Sequence, residues 1–324
     1  MANSRGSLTA AILTELSEGS FRSAAQLASA LNVSRSAIVE ALEDSASLPV
    51  FRVRGHGYRI AFPFVPLSAE AIRLALLPSI LAEHVNVIDE VESTNTELLT
   101  QAARGAPHGT SIFAEHQSGG RGRRGRSWQA RWGEGLLFSL LWRSERGAAA
   151  LAGLSLAVGV ALARGLAEFA DIKAELKWPN DLLLDGAKLG GVLVELTGEI
   201  NGACAAVIGV GINLRKPREL PAADLADLGL RRIDRNHLAG LLLRHLGEAL
   251  ETFDRRGFAA FRDEWIARHA YNNDILTVTR PNEQVHGRFA GLADDGGLLL
   301  DRGSRIERFA VGEVSLRGEP REHR

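Results

Sequence analysis

The sequence predicts an α+β protein in three parts: an N-terminal winged helix-turn-helix over residues 1–64, a central mixed α/β domain over 67–270, and a small β-barrel over 271–324. Three observations carry that reading. The first 64 residues hold two serine-capped helical stretches, a tight turn between them and a glycine-centred hairpin after them. The middle mixes strands and helices without a regular strand–helix–strand alternation, which argues against a doubly wound parallel sheet. From about Asn272 the pattern shrinks to short alternating strands.

The elements follow in order. Leu8, Ile12, Leu13 and Leu16 fall at helical spacing, and Gly19 stops that helix. Ser23 is placed to cap a helix over 24–31 and Ser34 a third from Arg35 to about Asp44, with Asn32-Val33 as the turn. Two short strands over 49–60 flank Gly55-His56-Gly57, the expected wing; an ordinary small helical domain with a hairpin is the plainer alternative. Pro63 and Pro66 mark a linker. Strands are expected over 84–91, 109–117, 136–142, 175–178, 182–184, 192–196 and 205–214, with a hairpin turn at Asp185-Gly186. Helices are expected over 94–105, opened by a capping box from Thr94 to Glu97, over 148–170, 236–253 and 258–269. The last part reads as strands over 276–279, 285–290, 298–300, 306–309 and 314–316, with a turn at Asp295-Gly296-Gly297.

Composition sets limits. With 45% hydrophobic residues in 324, the chain can build real cores, which excludes wholesale disorder. A formal charge of −1 excludes nucleic-acid binding by general surface charge, so any DNA contact must be a local patch. The single cysteine, Cys204, lies in an apolar run and fits a reducing cytosol, as a buried residue rather than a nucleophile. The N-terminus lacks the charged-then-apolar layout of a signal peptide, and the uncharged run 148–163 is too short to span a bilayer. A cytoplasmic protein with no membrane partner is expected.

Chemistry concentrates in three segments. In Gly120-Arg121-Gly122-Arg123-Arg124-Gly125-Arg126-Ser127-Trp128, four arginines interleave with three glycines. Arginine forks match carboxylate and phosphate oxygens, and glycine lets backbone come close to a ligand. The formal Gly-x-Gly-x-x-Gly is not a dinucleotide turn, because a strand and not a helix follows; it is not a P-loop, because no Gly-Lys-Ser/Thr follows. A solvated basic loop touching nucleic acid is the bland alternative. Lys177-Trp178-Pro179-Asn180-Asp181 is either a plain turn or a ligand turn, with Asn180 on phosphate or Mg²⁺ and Asp181 as base or orienting acid. Lys188, followed by Gly190-Gly191, can reach a ligand across open backbone or be an ordinary surface charge.

These segments, with Ser93-Thr94-Asn95, residues 209–214 and residues 312–317, resemble the bacterial bifunctional biotin–protein ligase and biotin operon repressor family, the BirA type, in family order over essentially the whole chain. The resemblance implies a central domain of the biotin/lipoate ligase type and an SH3-like C-terminal barrel. It implies a two-step reaction: biotin and MgATP give biotinyl-5′-AMP and pyrophosphate, and a lysine of a biotin carboxyl carrier protein then takes the biotinyl group. By carry-over, Ser93, Thr94, Asn95 and Gln117 line the biotin pocket; Arg121, Gly122 and Arg123 close over biotin and the adenylate; Lys188 touches the biotin carboxylate or bridging phosphate; Arg124, Arg126, Trp128 and Asn180 serve the nucleotide. Lys188, Arg123 and Asp181 form the expected catalytic set. Biotinyl-5′-AMP is also the implied corepressor, and a homodimer on operator DNA the implied assembly.

The residue types suit this chemistry. Both steps build negative charge on phosphorus-bound oxygens, which fixed cations stabilise. The acceptor amine, with an ordinary pKa of about 10.4, must lose a proton before attack, and Asp181 is the expected helper. No metal ligands are identified. The expected DNA contacts are Ser34, Arg35, Ser36, Arg52, Arg54 and His56; the recognition helix itself ends acidic, with Glu40, Glu43 and Asp44. Three other readings stay open: a ligase whose winged helix no longer binds DNA, a lipoate–protein ligase, and a transcription factor sensing a small molecule through a dead enzyme domain.

Overall fold

The computed structural model describes residues 2–43, 48–198, 202–215, 222–230, 232–271, 275–279, 284–310 and 315–318. The N-terminal part comprises α1 (Ala2–Leu16), α2 (Ala24–Leu31), α3 (Arg35–Glu43) and an antiparallel hairpin of β1 (Val50–Val53) and β2 (Gly57–Ile60). Ser23 caps α2, and Gln26 reciprocates: Gln26 N donates to Ser23 Oγ at 3.2 Å and Ser23 N to Gln26 Oε1 at 2.8 Å. Asn32 ends α2 in the left-handed region, and Ser34 Oγ accepts from Ala37 N at 3.1 Å to start α3. The expected helix end at Asp44 lies outside the described residues. Arg22 and Tyr58 exchange two backbone bonds of 2.8 Å, and a Cβ at Gly57 would sit 2.3 Å from Arg22 O, so only glycine fits the hairpin there. Ile12, Leu13, Leu16, Leu27, Ile38 and Ile60 bury their side chains together, and Phe64 and Trp132 complete that cluster.

The central part comprises α4 (Ala69–Leu76), β3 (Val85–Val91), α5 (Thr94–Ala103), β4 (Ser111–Gln117), β5 (Gly135–Ser144), α6 (Leu154–Ala170), β6 (Glu175–Lys177), β7 (Asp181–Leu184), β8 (Ala187–Gly198), β9 (Cys204–Asn213), α7 (Arg235–Arg256) and α8 (Arg262–Ala267). Its strands form one sheet in the order β3-β4-β5-β9-β8-β7-β6, parallel only between β3 and β4, so the mixed architecture is observed. Period-two alternation divides its faces. Phe113, Leu140, Ala206 and Ile208 face the main core with α6 and α7, while Ile112, Leu141, Ala205 and Val207 face α5 through Leu98 and Ala102. All ten residues of β9 are buried, as befits a strand covered on both faces.

Several expectations are corrected. The capping box from Thr94 to Glu97 does not form: Ser93 is the N-cap residue, Thr94 Oγ1 donates instead to Gln117 Oε1, and Glu97 accepts from Gln101. The helix expected over 148–170 breaks into a short 3-10 turn and α6, because Gly153 adopts φ +80° and a Cβ there would lie 2.7 Å from Phe258 Cβ. α6 is apolar because it is a core helix, buried along most of its length. The helix expected over 258–269 likewise divides into a 3-10 turn and α8. β8 starts at Ala187, so Lys188, Gly190 and Gly191 are strand residues rather than a lead-in.

The C-terminal strands β10 (Ile275–Thr279), β11 (Gln284–Leu292), β12 (Leu298–Asp301), β13 (Ile306–Phe309) and β14 (Ser315–Gly318) form an antiparallel sheet in the order β13-β12-β11-β10-β14. Among the described residues this sheet is open, with β13 and β14 at its edges, so the closure expected of a barrel is not observed. Asn272 and the 312–314 portion of the last motif lie outside the described residues. Leu276, Val278, Leu298, Leu300 and Phe309 join the main core, and Trp178 Nε1 donates to Gly296 O at 3.0 Å, tying this sheet to the central part.

The segment expected to be a linker is pinned. Arg235, 1% exposed, donates to Glu115 Oε1 and Oε2 at 2.8 and 2.7 Å and to Val65 O at 2.7 Å. Leu67 N donates to the same carboxylate at 2.6 Å, while Asn236 bonds Ser68 N and Pro66 O. Removing one partner of such a pair strands a buried charge. Arg235→Ala is therefore expected to lower unfolding free energy by about 3–5 kcal/mol. Urea denaturation measures this, and a loss within about 0.5 kcal/mol, the size of an ordinary surface substitution, would contradict it.

Candidate active site

The arginine segment folds as a narrow hairpin between β4 and β5. Gly122 N donates to Arg126 O at 2.7 Å, Trp128 N to Gly120 O at 2.8 Å, and Arg121 pairs across with Ser127. Close approach explains Gly120: a Cβ there would lie 2.4 Å from Trp128 O. The tip turns at Arg124, whose φ of +59° is left-handed. No helix opens at Gly125, in keeping with the rejection of a dinucleotide turn.

This hairpin, the start of α5 and strands β7, β8 and β9 enclose a cleft of about 350 Å³. Every expected ligand residue lines it except Arg124, which stands exposed at the hairpin tip.

At one end lies a polar floor. Ser93, Thr94 and Asn95 open α5 and are buried. Thr94 donates twice to Gln117 Oε1, from N at 2.7 Å and from Oγ1 at 3.0 Å. Ser139 Oγ lies 2.7 Å from Thr94 Oγ1 and 2.5 Å from Asn95 Oδ1. Asn95 Nδ2 donates to Leu193 O at 3.3 Å and to Glu195 Oε2 at 2.8 Å. Because Gln117 spends its oxygen on Thr94, its remaining polar group is the amide donor.

At the other end cations gather. Lys188 Nζ donates to Asp181 Oδ1 at 2.6 Å and stands 5.6 Å from the centre of the Trp128 ring. Arg123 Nη1 donates to Asn180 Oδ1 at 3.1 Å, and Asn180 Nδ2 to Val192 O at 2.8 Å, so Asn180 bridges the hairpin to β8. Burial lowers the Arg123 pKa, Arg124 and Arg126 push it the same way, and Asp181 opposes them. Arg121 Nη2 donates to Glu195 Oε2 at 2.7 Å. The Trp128 ring lies against Gly191 and Gly211, and its Nε1 is a buried donor with no partner among the described residues, the kind of group a bound ligand satisfies. Asp181 and Asn180 offer oxygen ligands, and no cluster of three metal-binding side chains occurs among the described residues. That donor set suits magnesium carried mainly by nucleotide phosphates.

The sequence singles out residues 209–214 as a motif but gives Gly209, Gly211 and Asn213 no place in the site, and it does not show Ser139 or the role of Glu195. Ser139 pairs with Gly209 across β5 and β9, where a Cβ on Gly209 would lie 2.2 Å from Asn95 Oδ1. Asn213 Nδ2 donates to Lys188 O at 3.2 Å. The expected DNA contacts are separate from the cleft: Ser34, Arg35 and Ser36 at the start of α3, and Arg52, Arg54 and His56 on the hairpin, are all exposed.

A polar floor beside a cationic end suits a small ligand that carries an anionic group, and comparison with known proteins names the family. The model of the biotin/lipoate A/B protein ligase family matches residues 87–213, and that of the biotin protein ligase C terminal domain matches 276–317. The bifunctional ligase/repressor BirA of Escherichia coli (strain K12) is 36% identical over 315 residues, covering 94% of this chain and 96% of its own length. The biotin--[acetyl-CoA-carboxylase] ligase of Paracoccus denitrificans is 33% identical over 242 residues, covering 72% of this chain and 100% of its own. The structure of biotin protein ligase from Aquifex aeolicus in complex with biotin and ATP is similar with a TM-score of 0.64 at 28% identity, covering 73% of this chain and 100% of that one. The chain belongs to the biotin protein ligase family.

The Trp128 seat yields a test. A Cβ on Gly211 would lie 2.5 Å from Trp128 Cε2, against a rigid ring. Gly211→Ala should displace the ring and lower ligase kcat/KM on the order of a hundredfold, as ångström misplacements at reacting ligands do. Wild-type steady-state kinetics in a folded variant would show that the glycine does not seat Trp128.

Proposed function

We propose that this chain is an ATP-dependent biotin–[acetyl-CoA-carboxylase] ligase that also represses a biotin operon, with biotinyl-5′-AMP as both intermediate and corepressor. The observation that carries the reading is the single cleft in which Lys188, Arg121 and Arg123 converge opposite the Thr94–Gln117 floor. Biotin's ring system occupies the floor, between Ser93, Thr94, Asn95 and Gln117. Its carboxylate points to Lys188 and the hairpin. ATP lies along Arg123, Arg126, Trp128 and Asn180; Mg²⁺, when bound, would be held with the oxygens of Asn180 and Asp181 and would offset phosphate charge. A carboxylate oxygen attacks the α-phosphorus, the bond to pyrophosphate breaks, and the fixed cations offset the charge that develops. In the second step the carrier lysine attacks the acyl carbon and AMP leaves.

Asp181 has two duties in this scheme. It fixes Lys188, at 2.6 Å, and it assists loss of the proton from the acceptor amine. No side-chain nucleophile is required. Cys204, buried on β9 with its thiol pKa raised by burial and then by Glu145, takes no part.

The units proposed are a winged helix over 1–64, the ligase domain over 67–270 and an SH3-like domain over 271–324, acting as a cytoplasmic homodimer on operator DNA. One feature favours a second reading, in which the winged helix no longer binds DNA: α3 carries exposed Glu40, and basic side chains sit mainly on the hairpin.

Three experiments follow. Incubated with biotin, ATP and a carrier domain, the protein should biotinylate one carrier lysine, whereas lipoate in place of biotin should leave it unmodified; transfer of lipoate instead would make it a lipoate ligase, and no transfer would make the domain a sensor. Lys188→Ala should reduce biotin-dependent pyrophosphate release by about 10²–10³-fold with the fold intact, and wild-type release would refute its role. For the operator, a gel shift with the protein's own biotin-operon promoter should tighten steeply when biotin and ATP are added and weaken with salt. Equal binding in both conditions would remove the ligand switch, and none in either would support the second reading.

A further inference from the structure

Glu195 joins the two halves of the cleft. Its Oε2 accepts from Arg121 Nη2 at 2.7 Å and from Asn95 Nδ2 at 2.8 Å, so one carboxylate oxygen holds both the arginine hairpin and the floor. It is half-buried on β8, where Glu195 pairs with Val207 of β9. The wider charge pattern gives the contact its meaning. Four arginines within six residues of the hairpin repel one another, and an anion beneath them offsets that repulsion. Lys188 has its own carboxylate in Asp181, whereas Arg123 bonds the neutral oxygen of Asn180. Arg121 is tied to the floor side of the cleft by charge.

The same carboxylate orients Asn95. An ionised carboxylate accepts and cannot donate, so Asn95 must turn its amide nitrogen toward Glu195 and its oxygen toward Ser139 Oγ. The opposite flip would face two acceptors across 2.8 Å. Ser139 contacts both Asn95 and Thr94, and Thr94 donates to Gln117. Glu195 thus stands at one end of a chain of polar contacts that reaches Gln117 through Ser139, whose single hydroxyl proton is shared between Asn95 Oδ1 and Thr94 Oγ1.

We propose that Glu195 is a positioning residue for the ligase reaction: it anchors the arginine hairpin closed through Arg121 and sets the donor pattern of the floor through Asn95. The inference rests on the biotin ligase reading for its substrate, while the anchoring itself does not. Glu195 touches neither reacting group in this scheme.

The test uses the full-length protein with Glu195→Ala and Glu195→Gln. Trypsin cleaves after the hairpin arginines, so the cleavage rate of ligand-free protein reports hairpin opening. Glu195→Ala should raise that rate and the KM for biotin by about tenfold each, the scale of one charge-assisted hydrogen bond partly exposed to water. The KM for ATP should stay within about twofold, and the midpoint of thermal unfolding should be unchanged. Glu195→Gln keeps an acceptor oxygen and should fall between Ala and wild type in both readouts. Wild-type cleavage and wild-type biotin KM in Glu195→Ala would overturn the proposal, and so would equal losses for biotin and ATP together with a lowered unfolding midpoint, which mark a merely structural residue. If the wild-type protein itself releases no pyrophosphate with biotin, the ligase reading fails, and the cleavage comparison alone still decides whether Glu195 anchors the hairpin.

Discussion

The ion pair between Arg235 and Glu115 organises the rest of the molecule. A guanidinium and a carboxylate removed from water cost several kcal/mol each unless their bonding capacity is met. Here it is met by Val65 O and Leu67 N, in a connecting segment that has no regular secondary structure of its own, and by Gly135 O, 3.4 Å from Arg235 Nη1, at the start of β5. The pair therefore fixes the path of the chain out of the N-terminal part. The Phe64 ring, 5.1 Å from the guanidinium, closes the same spot. Glu115 lies two residues before Gln117 on β4, and Gly135 four before Ser139 on β5, so the two strands pinned by the pair are those that carry the floor of the cleft.

A second continuity runs through residues 128–134. Trp128 seats against the glycines of β8 and β9 in the cleft, and four residues later Trp132 is buried in the N-terminal cluster. Gly133 permits the crossing: its φ is +71°, and a Cβ would lie 2.8 Å from the Phe64 ring. The cationic hairpin is thus joined to the N-terminal part by a short, packed segment, while Arg215 lies over Phe62 at 4.4 Å beside it.

Much of this site was legible in the sequence because its ligands come in contiguous motifs. Arg121, Arg123, Asn180, Asp181 and Lys188 each sit in a segment whose glycines or proline signal unusual backbone, and all line the cleft. What stayed hidden depends on register. Ser139 is one apolar-strand serine among many until β5 pairs with β9 and sets it opposite Gly209, under Asn95. Arg235 lies just before the helix expected over 236–253, and nothing in its spacing says that it is buried. The break at Gly153 is invisible in the sequence for a related reason: it is enforced by a distant contact, Phe258 against Gly153, rather than by local propensity. The family resemblance puts Arg124 on the nucleotide side, and the left-handed turn at that residue carries it to the exposed tip.

The central claim is that one cleft activates a carboxylic acid with ATP before any acceptor is present. Exchange of labelled pyrophosphate into ATP, in the absence of a carrier protein, tests that step by itself. The account predicts rapid exchange that requires biotin, saturates with it and is not supported by lipoate. Exchange independent of biotin, or none in protein that binds both biotin and ATP, would contradict it.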